Sequence, residues 1–263
     1  MVHLPDAVLV VAHPDDEILW FSSILDHCKR VVVCFGPSAT STESWDPGRA
    51  AVMETYPLTK AKFLKLRQST AFEGANWNRP VETDSGLRLR RRRSRSVYER
   101  NARELRRILG QELNRESLVF THNPWGEYGN EEHVQVFRIL TELRAELGFE
   151  LYVNSYVSNR SVPLMSLCQH SLTGDPVPGE TDTELAHRLR DLYLDNDCWT
   201  WLDDYEWPAI ESFYRVREPR GATEPGTTAS IPLNYITFPF NQSQMRKLAS
   251  TLFWRIKRLT GLR

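Results

Sequence analysis

Short apolar runs and longer amphipathic stretches alternate along the chain. Residues 7–12 (AVLVVA) and 31–35 (VVVCF) are unbroken and rich in β-branched side chains, the pattern of strands covered on both faces. Residues 62–66 and 118–121 (LVFT) predict two more strands, and 151–157 (LYVNSYV) a further one. Between them, residues 16–27 predict a helix with Ile18, Leu19, Phe21, Ile24 and Leu25 on its apolar side. Residues 48–55 also read as helical. Residues 98–113 carry Leu105, Ile108, Leu109 and Leu113 at helical spacing, and 131–147 predict another helix. Strands alternating with helices imply right-handed crossovers and an α/β fold, with helices on both faces of a mostly parallel sheet. In such a sheet the ligand crevice lies beyond the carboxyl ends of the strands. That rule singles out HPDDE, directly after the first strand, and HNPWGEYGNEEH, directly after LVFT.

Composition narrows the class without naming a function. The chain has 263 residues, 41% hydrophobic and 25% charged, which suits one soluble α/β domain with a sizeable core. We expect a single domain over 1–263 with a variable C-terminal third. Residues 160–178 and 217–231 are rich in Pro, Gly and Thr and read as loops. A net charge of −1 points to neither nucleic acid nor membrane. Cys28, Cys34, Cys168 and Cys198 form no CxxC pair, and Cys34 lies in an apolar run, so a reducing compartment is expected. With no basic leader and no apolar stretch approaching about 18 residues, a cytoplasmic location is the expectation.

The candidate chemistry lies in the two strand-end segments. His13 and Asp16 are three residues apart at a strand-to-helix turn stiffened by Pro14. Such a turn can aim an imidazole and a carboxylate at one point. His133, near the first turn of a helix whose strand opens on the same crevice, is the best third ligand. Two imidazoles and a carboxylate leave zinc open positions, the arrangement of a catalytic site. Asp15, beside the ligand pair, is placed to take a proton from water and pass it to a leaving amine.

Residues 12–17 (AHPDDE) resemble the first motif of the PIG-L/LmbE-like N-deacetylases, and residues 128–133 (YGNEEH) resemble their second. The resemblance runs from about residue 8 to residue 157, and more loosely to residues 211–213. It implies a Rossmann-like fold and hydrolysis of an N-acetyl group on an amino-sugar substrate: a free conjugate, a sugar nucleotide or a glycan. It implies zinc, or another divalent ion, on His13, Asp16 and His133, with Asp15 as general base and Tyr128 near the oxyanion. Asn130 stands where the family has a histidine that helps stabilise the tetrahedral intermediate. It can donate a hydrogen bond to an oxyanion but carries no proton near neutral pH. Glu132 replaces an aspartate. The family often has an arginine near Arg49, a substrate-binding candidate, although its spacing to Glu54 differs from the usual pattern.

Plainer readings compete. Asp15 and Asp16 suit a helix start, and Asn130 suits the N-cap of the following helix. Arg49 fits a solvated surface as well as a substrate contact. His122, at a strand end, either approaches the metal edge or makes an ordinary hydrogen bond. Residues 88–95 (RLRRRRSR) fit a solvated face, or attraction of an anionic substrate. Nucleic acid is disfavoured, because no aromatic residues interleave with the arginines. The tail at about 243–263 is a basic amphipathic helix candidate, packing on its own domain or docking on a membrane surface. Two whole-protein alternatives stand: a catalytically silent, metal-holding glycan-binding protein, and a non-haem iron enzyme from the same ligand types.

Overall fold

The computed structural model describes residues 6–37, 43–217 and 231–237. In chain order the elements are β1 (Ala7–Val11), α1 (Asp16–Leu19), α2 (Ser22–Leu25), β2 (Arg30–Gly36), α3 (Asp46–Thr55), β3 (Ala61–Arg67), β4 (Glu82–Thr83), β5 (Gly86–Leu87), α4 (Arg92–Glu112), β6 (Leu118–Thr121), α5 (Glu131–Leu147), β7 (Glu150–Asn154), β8 (Tyr156–Ser158), α6 (Val162–Cys168), β9 (Leu172–Glu180), α7 (Thr183–Asp195), β10 (Ile210–Val216) and β11 (Asn234–Ile236).

Seven strands form the main sheet in the order β3-β2-β1-β6-β7-β10-β9. The first five are mutually parallel, and β10 runs antiparallel to both of its neighbours. The unbroken apolar character of β1 follows from its central place, since it is covered on both faces. Val8 and Val10 pack with Leu105 and Leu109 of α4 and Leu140 of α5. Ala7, Leu9 and Val11 pack with Ile24, Val52, Leu185 and Leu189, from α2, α3 and α7. Burying one such side chain contributes about 1.5–3 kcal/mol. The fold is thus the expected α/β arrangement, a mostly parallel sheet with helices on both faces. Strand order reverses between β1 and β6, so the crevice falls there.

Several local expectations are corrected. Residues 16–27 form two short helices, because the backbone leaves helical geometry at Trp20 and Phe21. Residues 151–157 divide between β7 and β8 of different sheets, and the Asn154 side chain accepts a bond from the Tyr156 N–H at the break. Residues 160–178 are no loop, since they contain α6 and most of β9. Pro176 and Pro178 are tolerated because β9 is the sheet's edge strand. α4 starts before residue 98, so the arginine run forms its approach and first turn. All four cysteines are free and buried. Among the described residues, no helix is long and apolar enough to cross a membrane. The tail at 243–263 and residues 218–230 lie outside the described residues.

Candidate metal centre and active site

The turn after β1 is tightly specified. Asp15 adopts a left-handed conformation with φ 96°, which costs a non-glycine residue roughly 1–2 kcal/mol. The turn is held by its own neighbours. The Asp15 N–H points to Glu17 Oε2 and Tyr193 Oη, both at 3.0 Å. Tyr193 and Tyr56 each donate to Glu17 Oε1 at 2.7 Å. The His13 N–H donates to Asp16 Oδ2 at 2.7 Å, folding that carboxylate back over the strand end.

The loop between β6 and α5 supplies the other side. Asn130 caps α5, its Oδ1 accepting the Glu132 N–H at 2.8 Å. This puts Glu132 and His133 in the first turn, facing the β1 end. Gly129 has φ +89°, and a Cβ there would lie 2.9 Å from the Arg160 side chain, so the loop needs glycine at this point.

The two segments bring His13, Asp16 and His133 together. His13 Nδ1 lies 3.3 Å from His133 Nε2, and each of these nitrogens is 3.3 Å from Asp16 Oδ2. Donors placed tetrahedrally about 2.0–2.1 Å from one zinc ion would be roughly 3.3–3.4 Å apart, so the triangle fits such an ion. The remaining atoms are anchored. His13 Nε2 meets Glu132 Oε2 at 2.8 Å, and Glu132 Oε1 accepts from the Ser69 N–H and Oγ at 2.6 and 2.7 Å. Trp20 Nε1 donates to Asp16 Oδ1 at 3.0 Å. His133 Nδ1 is 2.6 Å from Glu127 Oε2. These contacts leave the inward-facing atoms free to ligate a metal ion.

Charge balance also fits a cation. Asp15, Asp16, Glu127 and Glu132 are buried carboxylates, and Arg49 is the buried permanent cation beside them. In the metal-free protein the imidazoles must supply the rest. Burial disfavours His13⁺, yet Asp16 and Glu132 outweigh it and hold His13 up at about 9. Glu127 and Asp16 likewise pull His122 upward against burial, but its Nε2 accepts the Ala12 N–H at 2.8 Å, which holds that ring neutral. Burial works against the Asp16 anion, but His133, His122 and His13 keep its carboxyl well below the usual range. A divalent ion would take the place of these protons.

Asp15 sits beside the triangle but faces elsewhere. Its Oδ2 accepts from Thr200 Oγ1 at 2.8 Å and Arg49 Nη2 at 3.1 Å. Burial raises its pKa against the pull of Arg49, which moves a carboxylate toward the range useful for a general base. Arg49 is 4% exposed and also reaches Pro14 O and Thr200 Oγ1, so the partners it has here are internal. Tyr128 is half-buried and edge-on to His133, with ring centroids 5.4 Å apart. It receives a hydrogen bond from Asn130 Nδ2 at 2.8 Å. Asn130 therefore serves the helix cap and Tyr128 at once.

His122 stacks on His133 at 3.8 Å, but its Nε2 accepts the Ala12 N–H at 2.8 Å. That nitrogen is committed to the backbone, and His122 supports the site from behind. Sequence reasoning missed Glu127, Thr200, Trp20 and Asn154. Glu127 was within reach, since it lies inside the segment already singled out. Thr200 and Trp20 carry no local signal, because their roles arise from packing. The arginine run is wholly peripheral. Arg88, Arg90, Arg91, Arg92, Arg93 and Arg95 are exposed, and the first turn of α4 has neither an acidic residue nor a side-chain cap. It connects to the site through Ser94, whose Oγ is 3.2 Å from Thr70 Oγ1, next to Ser69.

No family profile and no curated protein sequence matches the chain. Among solved structures, the chain is similar to the deacetylase–teicoplanin complex of teicoplanin biosynthesis, at 12% identity and a TM-score of 0.47, covering 80% of this chain and 97% of that one. It is also similar to the A40926 pseudoaglycone deacetylase Dbv21, at 13% identity and a TM-score of 0.46, covering 83% and 100%. A zinc-inhibited form of teicoplanin deacetylase Orf2 aligns at 12% identity and a TM-score of 0.47, covering 80% and 98%.

Proposed function

We propose that this chain is a metal-dependent N-deacetylase acting on an amino-sugar-containing substrate. The observation that carries the reading is the 3.3 Å triangle of His13 Nδ1, Asp16 Oδ2 and His133 Nε2, with Asp15 next in the chain. The choice of an N-acetyl amide rests on the resemblance of residues 12–17 and 128–133 to the PIG-L/LmbE-like N-deacetylases. A divalent ion there, zinc in the first instance, supplies Lewis acidity that polarises an amide carbonyl and brings the pKa of water down to roughly 7.

The chain's own residues do the rest. Asp15 takes a proton from the attacking water and returns it to the amine as the C–N bond breaks, giving acetate and a free amino group. Arg49 and Thr200 keep the Asp15 carboxylate in one orientation. Tyr128 donates to the oxygen that gains charge, and Asn130, bonded to the Tyr128 hydroxyl, fixes that phenol. Phe72, 38% exposed and 6.0 Å from Tyr128, extends an aromatic surface toward solvent that suits the apolar face of a sugar ring. The arginine run favours approach of an anionic substrate.

The test is metal content, measured on the wild-type protein and on His13→Ala purified identically, followed by acetate release from N-acetylglucosamine conjugates. Stoichiometric zinc that the variant lacks, together with acetate release, is the expected result. A folded wild type that takes up no added zinc sinks the reading. Zinc and glycan binding without acetate release selects the silent glycan-binding alternative.

A further inference from the structure

Glu127 meets two energetic penalties at once. Its carboxylate is fully buried, and burying an isolated charge is costly unless it is paired. Its backbone is left-handed at φ +49°, between Gly126 at +64° and Gly129 at +89°. The turn thus uses glycine at two left-handed positions and a bulky acid at the third, where glycine would be less strained. Its backbone is nonetheless fixed from both sides: its N–H donates to Asn123 Oδ1 at 3.1 Å, and its carbonyl accepts from Ser161 Oγ at 2.6 Å.

Its side chain is surrounded by donors. Oε1 accepts from Asn154 Nδ2 at 2.5 Å and from the Asn123 N–H at 3.1 Å. Oε2 is hydrogen-bonded to His133 Nδ1 at 2.6 Å, and His122 Nδ1 lies 3.2 Å from it without an aligned hydrogen bond. The neutral His122 ring must carry its proton on Nδ1, because Nε2 accepts the Ala12 N–H. Glu127 therefore has no neighbour that accepts, and both of its oxygens must be acceptors.

We infer that Glu127 is the positioning residue that makes His133 a metal ligand: it holds the imidazole with the proton on Nδ1, so that the Nε2 lone pair faces His13 and Asp16. The inference rests on the metal-site reading above. A carboxylate behind a ligating imidazole fixes the ring, selects the tautomer and increases the basicity of the ligating nitrogen. It also explains why a charged residue persists at a strained backbone position. In Glu127→Gln the amide NH₂ must face either the Asn154 and Asn123 donors or the two histidines. One donor pair is left opposed whichever way the amide turns.

The experiment is zinc affinity by chelator competition on wild type, Glu127→Gln, Glu127→Asp and Ser161→Ala, with thermal melting of each metal-free protein. Glu127→Gln is expected to weaken zinc binding by about 10–100-fold. Glu127→Asp, which keeps the charge and shortens the reach, should fall between it and wild type. Ser161→Ala, which loosens the same turn through the backbone alone, should lower the melting temperature and leave zinc affinity nearly unchanged. Wild-type affinity in Glu127→Gln, or an equal loss in Ser161→Ala, overturns the inference while leaving the metal site standing. A wild type that binds no zinc removes both. If the Glu127 variants do not fold, nitrogen NMR of the zinc-loaded wild type decides: a His133 ring protonated on Nδ1 supports the inference, and one protonated on Nε2 overturns it.

Discussion

The two most charged regions of this protein treat charge in opposite ways. At the switch point between β1 and β6, Asp15, Asp16, Glu17, Glu127 and Glu132, three imidazoles and Arg49 are buried and held by one another and by the surrounding backbone. At the start of α4, Arg88 and Arg90 to Arg93 are exposed, and among the described residues none of these five forms an ion pair. Exposed charge costs little and settles into many sequences without consequence. Buried charge persists only where partners offset its desolvation, so the buried cluster is the more informative of the two.

Breaking a buried charge should therefore have the largest effect. Asp15→Asn is expected to retain metal yet lower acetate release by about 10²–10⁴-fold, the usual contribution of a positioned acid–base group. It also leaves Arg49 buried without its counter-charge, at a cost of about 3 kcal/mol or more. Kinetics and melting of the same preparation check both, and an unchanged rate removes Asp15 from the base role.

The pH dependence comes next. His13 sits at about 9 in the metal-free fold, above the ordinary histidine value of 6.5. A raised histidine contributes stability that is fully present below about 6.5 and lost as pH rises through about 9. The metal-free protein should therefore melt at lower temperature as pH goes from 7 to 10, with His13 alone accounting for something on the order of 3 kcal/mol. Saturating zinc should abolish this loss, and adding zinc near pH 7 in weak buffer should release protons. A flat melting profile without metal would show that the imidazoles do not carry the charge balance.

Asn130→Ala should cost about 1 kcal/mol through loss of the α5 cap, together with a fall in activity as Tyr128 loses its tether. Asn130→His, which introduces the histidine found in the motif that residues 128–133 resemble, incurs a similar cap cost, so its kinetics are to be compared at matched fraction folded. Activity above wild type would show that the asparagine weakens catalysis, and a fall that it suits this substrate.

The smallest effects belong to the exposed arginines. Arg92→Glu should stabilise α4 slightly, by about 0.3–1 kcal/mol, since it replaces a cation at a helix N-terminus with an anion. If the substrate is anionic, the same change should lower kcat/KM at low salt and matter less as salt rises. Salt-independent kinetics in both proteins would return the run to the role of a solvated face.

Much of this was legible without coordinates. The parallel core strands, the helix at Glu131–Leu147 and the crevice at the strand ends follow from apolar periodicity and the alternation of elements. His13 and Asp16 are three residues apart, so local geometry nearly suffices to bring them together. His133 is 120 residues from His13, and only the shared sheet edge made it a reasonable partner. The break at Trp20 and the division of residues 151–157 were not legible, because the apolar pattern runs through both places unbroken while the backbone leaves helical geometry at Trp20 and Phe21 and the Asn154 side chain takes the Tyr156 N–H.

The sequence by itself determined the architecture and the candidate chemistry, since hydrophobic period selects elements and strand ends select the crevice. The tertiary structure decided which atoms face each other. It turned Nδ1 of His13 and Nε2 of His133 inward, committed His122 to the backbone, paired Arg49 with Asp15, and placed Glu127 behind His133. These assignments depend on ångström-scale distances between residues far apart in the chain, and a linear pattern of residue types does not encode such distances until the core has packed.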